Sequence, residues 1–265
     1  MAATYAKRTP WEITRSVWYA MFMREALART TGDRLAWFWM LAEPIAMVAI
    51  MATIRSYSMS GQQIFGADFV PWLITGMLGF FLFRENMMRS LGAINANKGL
   101  FSYRQVIPTD PIFVRCFVEG ALKSFIFLLF VIAGSLLQEQ MIPDHPLMAF
   151  WCWFSLWSLG LGIGLMLSAL ATLVPEIARV VQIISLPLLI ISGAIMPMQA
   201  VPHELEFYIL LNPILHGLES FRLAYFGSYH TLSGVSLTYL WLCTLSFMLI
   251  GLALQIRFKD RLKAK

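Results

Sequence analysis

The sequence predicts an all-α polytopic membrane protein of six transmembrane helices, with both termini in the cytoplasm. Three observations carry this expectation. First, 58% of the 265 residues are hydrophobic and 13% are charged, against about 25% charged in soluble domains, so the apolar excess belongs to a membrane bundle rather than to a large soluble core. Second, apolar runs near the roughly 20 residues that cross a hydrocarbon core recur along the chain. Third, Lys and Arg are segregated. Lys7, Arg8, Arg15, Arg24, Arg29 and Arg34 crowd the start, Arg84, Arg89, Lys98 and Arg104 lie within 84–110, and Arg257, Lys259, Arg261, Lys263 and Lys265 fill the tail. Segment 55–69 holds only Arg55, 138–146 holds no basic residue, and 197–236 holds only Arg222. Basic residues mark the cytoplasmic side, and two basic ends require an even number of crossings. The net charge of +5 therefore reads as membrane orientation and attraction to anionic headgroups, with no nucleic-acid partner expected.

Residues 9–31 read as a helix with Trp11, Val17, Trp18, Met21 and Phe22 on one face. Glu25 and Arg29 fall on or near that face, so its amphipathicity is imperfect. Its expected place is the cytoplasmic interface, with Trp at headgroup depth, a short soluble helix being the alternative. Spans are expected at about 35–54, 69–83, 111–137, 147–173, 180–196 and 237–256. The first apolar run begins only near Leu35, behind a polar segment, so no cleaved signal peptide is expected. Glu43-Pro44 interrupts the first span, and Arg84-Glu85 closes the short second one. Gly160, Gly162 and Gly164 punctuate the fourth, where small residues let helices approach closely. No linker or repeat divides the chain, so 1–265 reads as one membrane domain.

Two segments between spans are informative. In 84–111, helix formers run to Ala96, Asn97-Lys98-Gly99 reads as a stop, and Leu100, Phe101 and Val106 are apolar points before Pro108 and Pro111. A long ordered loop of this kind suits a docking partner. Segment 197–236 opens with Pro197-Met-Gln-Ala-Val-Pro202, turns apolar over 207–211, and continues through Asn212-Pro213, His216, Glu219 and Arg222. Its apolar pieces, about ten residues long, are too short to span and suit re-entrant or interfacial helices before the last crossing.

Within the third span Arg115, Glu119 and Lys123 stack on one helical face at i, i+4, i+8, although a charge at mid-bilayer costs about 2.5–3.5 kcal/mol on insertion scales. Glu119 can pair with either neighbour. Together with Arg84 these residues are a candidate polar conduit; an ion-paired, snorkelling helix end is the other reading. Catalysis finds no footing. Ser168 and Ser192 lie in spans, while His145, His203, His216 and His230 lie in outer segments, and neither a Gly-x-Ser-x-Gly nor a His-Glu-x-x-His pattern occurs. No catalytic residue, metal ligand or resident cofactor is therefore predicted. The nearest approach to a phosphate loop, Gly120-Ala121-Leu122-Lys123-Ser124, lacks the glycine before Lys and sits inside a span. Cys116, Cys152 and Cys243 have neither disulfide nor metal spacing and read as buried residues.

The run Asn97-Lys98-Gly99-Leu100-Phe101, followed by Val106-Ile107-Pro108 and Asp110-Pro111, resembles the cytoplasmic coupling region of the ABC-2 type export permeases. Asn212-Pro213-x-x-His216-x-x-Glu219-x-x-Arg222 resembles that family's element before the last span. With the N-terminal helix, the resemblance covers essentially the whole chain and is nearest to the capsular polysaccharide export inner-membrane permeases. It implies a homodimer in the cell inner membrane, with two separate ABC ATPase subunits that carry the ATP and Mg. It also implies a lipid-linked acidic polysaccharide moving along the dimer interface to periplasmic co-polymerase-type and outer-membrane export proteins. Asn97, Lys98, Gly99, Leu100, Phe101, Arg104 and Pro108 would belong to the ATPase-coupling loop, with Asn97 and Gly99 as its foremost points. Pro197, Pro202, Asn212, Pro213, His216, Glu219 and Arg222 would form the outer gate.

The same architecture could export another lipid-linked glycan, such as O-antigen or teichoic acid, or a hydrophobic small molecule; a six-span membrane enzyme is a third reading. Trp37, Trp39, Trp72, Phe80, Phe81, Tyr103, Trp151, Trp153 and Trp157 offer faces for a sliding sugar chain, or else an interfacial aromatic belt. Arg84, Arg89, Lys98 and Arg115 could attract an acidic cargo, and equally satisfy the orientation rule.

Overall fold

The computed structural model describes residues 9–31, 35–58, 63–103 and 105–264. Arg104 lies outside the described residues, as does the side chain of Trp37. Helix α1 runs Pro10–Thr31. It starts with a reciprocal cap: Thr9 N donates to Glu12 Oε2 at 2.9 Å and Glu12 N donates to Thr9 Oγ1 at 3.3 Å, with Pro10 at the first helical position. Helix α2, Ala36–Ser58, carries Pro44 inside it. A two-stranded antiparallel hairpin, β1 (Gln63–Ile64) and β2 (Ala67–Asp68), then leads into α3 (Phe69–Leu91). The short α4 (Ala93–Ala96) and a 3-10 turn over Lys98–Ser102 connect to α5 (Asp110–Leu136). Beyond it lie α6 (Pro146–Leu173), α7 (Glu176–Ile191), α8 (His203–Ile209), α9 (Pro213–Tyr225), α10 (Leu237–Arg257) and α11 (Lys259–Ala264).

Among the described residues, α5, α6 and α10 are long and apolar enough to cross a membrane. Helices α2, α3 and α7 stand where crossings are expected but fall short of that measure. The apolar part of α2 is Phe38–Ile54. At 16 residues α7 is about 24 Å long, against a hydrocarbon core of about 30 Å. Helix α3 continues to Leu91, well past the end at 83 that Arg84 and Glu85 suggest. Those charges do not stop the helix because they find partners: Arg84 Nη1 lies 3.3 Å from Glu85, and Arg89 Nε lies 3.7 Å from the same carboxylate.

Helix α3 is the centre of the bundle, packed against α5, α6 and α9, with every residue from Pro71 to Phe83 buried. Helix α6 lies between α3 and α10, and its glycines explain how. A Cβ at Gly160 would come within 2.7 Å of Phe83 O, and one at Gly164 within 2.5 Å of Ser90 Oγ, both on α3. A Cβ at Gly162 would meet Thr244 O of α10 at 3.0 Å. The four-residue pair therefore seats one neighbour and the glycine between them seats the other, as the packing reading of LGLGIG requires.

Two apolar clusters result. The larger unites α2, α3, α6 and α9 around Trp72, Phe80, Phe83, Leu156 and Phe221. The smaller lies under the segment after α3 and joins Met21, Ile94, Phe101, Val106, Ile112, Leu165 and Leu262, so that α1, α4, the 3-10 turn, α5, α6 and α11 share one floor. Cys116 and Cys152 are buried as expected, whereas Cys243 on α10 is only half-buried. Trp72, Phe80 and Phe81, read as candidate sugar-sliding faces, are core residues instead, because α3 is enclosed on all sides. Trp39, Tyr103 and Trp151 are exposed. Trp153 and Trp157 turn their indole N–H groups inward, to Ser124 Oγ at 2.9 Å and Cys116 O at 2.8 Å.

Candidate functional site

At one end of the bundle, the charged stripe of α5 meets α1 and α3. Glu119, almost fully buried, lies 2.9 Å from Arg29 Nε of α1 and 3.2 Å from Arg89 Nε of α3. Arg115 lies 2.9 Å from Glu25 of α1 and donates to Arg89 O at 3.2 Å. Lys123 sits over the ring of Phe81, 5.7 Å from its centroid. The expectation that Glu119 pairs with Arg115 or Lys123 is thus corrected: both point to other helices, and the carboxylate is served by two arginines from outside α5. Arg84 joins the group through Glu85, which Arg89 also contacts. The structure therefore brings Arg84, Arg115, Glu119 and Lys123 into one neighbourhood, closed by Glu25, Arg29, Glu85 and Arg89. A buried carboxylate shared by two guanidinium groups avoids the several kcal/mol that an uncompensated buried ion costs.

The imperfect amphipathicity of α1 now has a cause. Glu25 and Arg29 interrupt its apolar face because they match Arg115 and Glu119, four residues apart on each helix and in the same order. A turn and more earlier, Trp18 Nε1 donates to Asp110 Oδ1 at 3.0 Å and stacks on Phe113. Asp110 Oδ2 also accepts from Ile107 N at 2.8 Å. Asp110, Glu25, Arg24 and Arg89 are named in the sequence reading only as parts of a motif, a helix face or a basic segment, and not as partners in this junction.

The segment 97–108 is held from several sides. Asn97 is buried; its Nδ2 donates to Ala93 O at 2.8 Å and its Oδ1 accepts from Arg24 of α1. Phe101, Val106 and Pro108 are buried, and Lys263 Nζ of α11 donates to Val106 O at 2.8 Å. Leu100 is half-buried, whereas Lys98, Gly99, Ser102 and Tyr103 are exposed. At Gly99 nothing among the described residues stands within 4 Å of where a Cβ would be. The segment thus presents a short outward surface on an inwardly fixed frame.

At the other end, the Asn212–Arg222 motif folds into one buried unit. Asn212 Oδ1 caps α9 by accepting from Ile214 N at 3.1 Å, and Pro213 takes the first helical position. His216 Nδ1 accepts from Ser236 N at 3.0 Å, which leaves Nε2 to donate to Leu210 O at 2.8 Å. Arg222 and Glu219 have fully buried side chains 2.8 Å apart. Arg222 also donates to Gly193 O (2.8 Å) and Ala194 O (3.1 Å), and its guanidinium lies 3.7 Å over the Trp72 ring. A Cβ at Gly76 would collide with this guanidinium, so glycine there admits the arginine. Glu219 Oε2 accepts from Tyr229 (3.0 Å) and Thr231 (2.6 Å), and Gln199 Nε2 lies 2.9 Å from Tyr229 Oη. Burial raises the Tyr229 hydroxyl above its ordinary range, so it stays a donor to the carboxylate.

Pro197 and Pro202 flank the 3-10 turn Met198–Ala200 that carries Gln199, and α8 after them has no buried residue. Tyr229, Thr231 and Gln199 were not singled out from the sequence; polar residues in a loop give no signal of which buried carboxylate they will meet. The lone Lys or Arg of segment 197–236 is thus no surface charge at all. It is internal, and every feature named with it closes the gap between α7, α9 and the loop 226–236.

Comparison with known proteins gives the family. Residues 16–226 match the family model described as ABC-2 type transporter. The chain is 33% identical over 247 residues to a polysialic acid transport protein KpsM of Escherichia coli, covering 93% of this chain and 95% of that protein. It is 26% identical over 246 residues to the capsule polysaccharide export inner-membrane protein CtrC of Neisseria meningitidis serogroup A (93% and 92% covered). It is likewise 26% identical over 239 residues to BexB of Haemophilus influenzae, of the same description (90% and 89%). The predominantly helical fold, the apolar helices and the family match agree, and the chain belongs to the ABC-2 type transporter family of multi-pass membrane permeases.

Proposed function

We propose that this chain is the membrane-spanning permease subunit of an ATP-driven exporter that moves lipid-linked capsular polysaccharide across the inner membrane. Two copies form the conduit, crossing the membrane six times each with both termini in the cytoplasm. Two separate ABC ATPase subunits, which hold ATP and Mg, dock beneath, and periplasmic and outer-membrane export proteins receive the cargo. The relatives' names support the cargo class. The observation that carries the mechanism is the frame around 97–108. Lys98, Gly99, Ser102 and Tyr103 face outward, while Asn97, Phe101, Val106 and Pro108 fix the segment to α1, the inner apolar cluster and α11.

A partner pushing on such a surface moves its supports too. Displacement at Asn97 pulls Arg24, and α1 passes the pull to α5 through Glu25–Arg115 and Arg29–Glu119. Arg89, which also touches Glu119, carries it to α3 at the bundle centre. At the outer end the Glu219–Arg222 unit holds α9 to the carbonyls after α7, so the outer gate of this proposal opens only as a unit. Sparse burial of α7, where only Ser185 and Leu189 are enclosed, leaves an apolar face for a second copy.

The test is a pair of substitutions at Gly99. Gly99→Trp should block docking without disturbing the bundle, because the position is open; Gly99→Ala should be silent. Export in cells and co-purification of the ATPase are measured for both. Loss of both with Gly99→Trp, at wild-type membrane levels, supports the assignment, and normal export would refute it.

A further inference from the structure

An open groove of about 540 Å³ separates α1 from α5. Its walls are Trp11, Trp18, Tyr19 and Phe22 on one side and Val114, Phe117 and Ala121 on the other, and among the described residues Arg15 is the one charged member of the lining. Phe117 and Ala121 are shared with a second groove of about 260 Å³ between α5 and α6, which continues past Ser124 to Trp153 and Phe150. The ion pairs of α5 face elsewhere, so the two grooves form one apolar slot beside the charged junction. From Val114 to Ser124 the slot climbs α5 by about 15 Å, half of a hydrocarbon core of about 30 Å. That is the depth of one leaflet.

We infer that this slot holds one acyl chain of an anionic phospholipid of the leaflet beside α1, its phosphate facing Arg15. Length, apolarity and charge each point to this occupant. The slot is one chain deep and open along its side; its lining is aromatic and aliphatic; and Arg15, exposed at the rim, makes no ion pair among the described residues. Attraction of a basic side chain near a membrane surface for an anionic headgroup is worth about 1 kcal/mol, or about fivefold in occupancy. The inference needs only that the chain is membrane-embedded, not that it exports polysaccharide.

The full chain is placed in nanodiscs containing a small fraction of phosphatidylglycerol or phosphatidylcholine with a photoactivatable diazirine on one acyl chain. Labelled peptides are then mapped by mass spectrometry. Labelling concentrated on 11–22 and 114–124, about fivefold stronger for phosphatidylglycerol, is the expected result. Arg15→Glu should bring phosphatidylglycerol down to the phosphatidylcholine level. Ala121→Trp fills the floor of the slot from an exposed position and should remove labelling by both lipids at these peptides. Melting temperatures of both variants report that the fold is kept. Labelling spread evenly over the exposed faces of α2, α7 and α10, or unchanged by Ala121→Trp, would overturn the site. Equal labelling by the two headgroups would overturn the role of Arg15.

Discussion

Replacing Arg222 with Met tests whether the Asn212–Arg222 unit is a structural lock. The substitution preserves bulk but removes a charge that contacts Glu219 at 2.8 Å and two main-chain carbonyls, Gly193 O and Ala194 O. Breaking one partner of a buried pair costs about 3–5 kcal/mol, because the other charge remains uncompensated. For a chain of this size 1 kcal/mol lowers the melting temperature by about 2–4 °C, so a fall of about 6–20 °C is expected. Glu219→Gln should also destabilise, since Arg222 then keeps only carbonyl partners. The double variant should recover about 0.5–3 kcal/mol relative to the sum, the coupling of two residues in one network. The measurement is the thermal loss of the monodisperse peak in size-exclusion chromatography after heating detergent-purified protein. A melting temperature for Arg222→Met within about 2 °C of the parent chain, or strictly additive losses, would refute the lock.

Four further outcomes are expected. Glu119→Gln should weaken the hold of α1 by about 1.5–3 kcal/mol, the range for hydrogen bonds to charged groups, and lower disulfide cross-linking between cysteines placed on α1 and α5. Because Arg29 and Arg89 are partly exposed, the parent chain should itself show weaker cross-linking in about 1 M salt than in about 0.1 M. Asn97→Ala removes the Arg24 bond and should raise protease cleavage near the end of α1 while the bundle keeps its melting temperature, an unchanged digestion pattern being the contrary result. Gly160→Leu drives a side chain into the backbone of α3 at Phe83 and should destabilise by about 1–3 kcal/mol or more, read as reduced folded yield in membranes.

Much of this arrangement is legible in the sequence where the signal is local. Cap, proline and helix periodicity place α1 and α9, and the spacing of Gly160, Gly162 and Gly164 announces close packing. The stripe Arg115-Glu119-Lys123 is legible as a stripe, yet its partners are not, since they come from α1 and α3. The available clue was register: Glu25 and Arg29 carry the opposite signs of Arg115 and Glu119 at the same four-residue spacing. The expected span end at 83 is not the end of α3, which runs on through part of the helix formers read up to Ala96. A charge inside an apolar run reads as a boundary unless the ion that pairs with it is known. Asn97 was legible as a helix stop, but its inward turn depends on Arg24, and the outer lock depends on loop residues 199, 229 and 231, whose meeting point only the tertiary fold defines.

The two-sided glycine pattern of α6 has a mechanical consequence. Seating α3 and α10 at backbone contact around one helix leaves no room for sliding among the three, so they behave as a spine. Helix α7 has no such anchorage along its length and is clasped chiefly at its far end, where Arg222 grips Gly193 and Ala194. A displacement delivered to α3 then moves these three helices as one body, and α7, held chiefly at that clasp, is where the bundle can give.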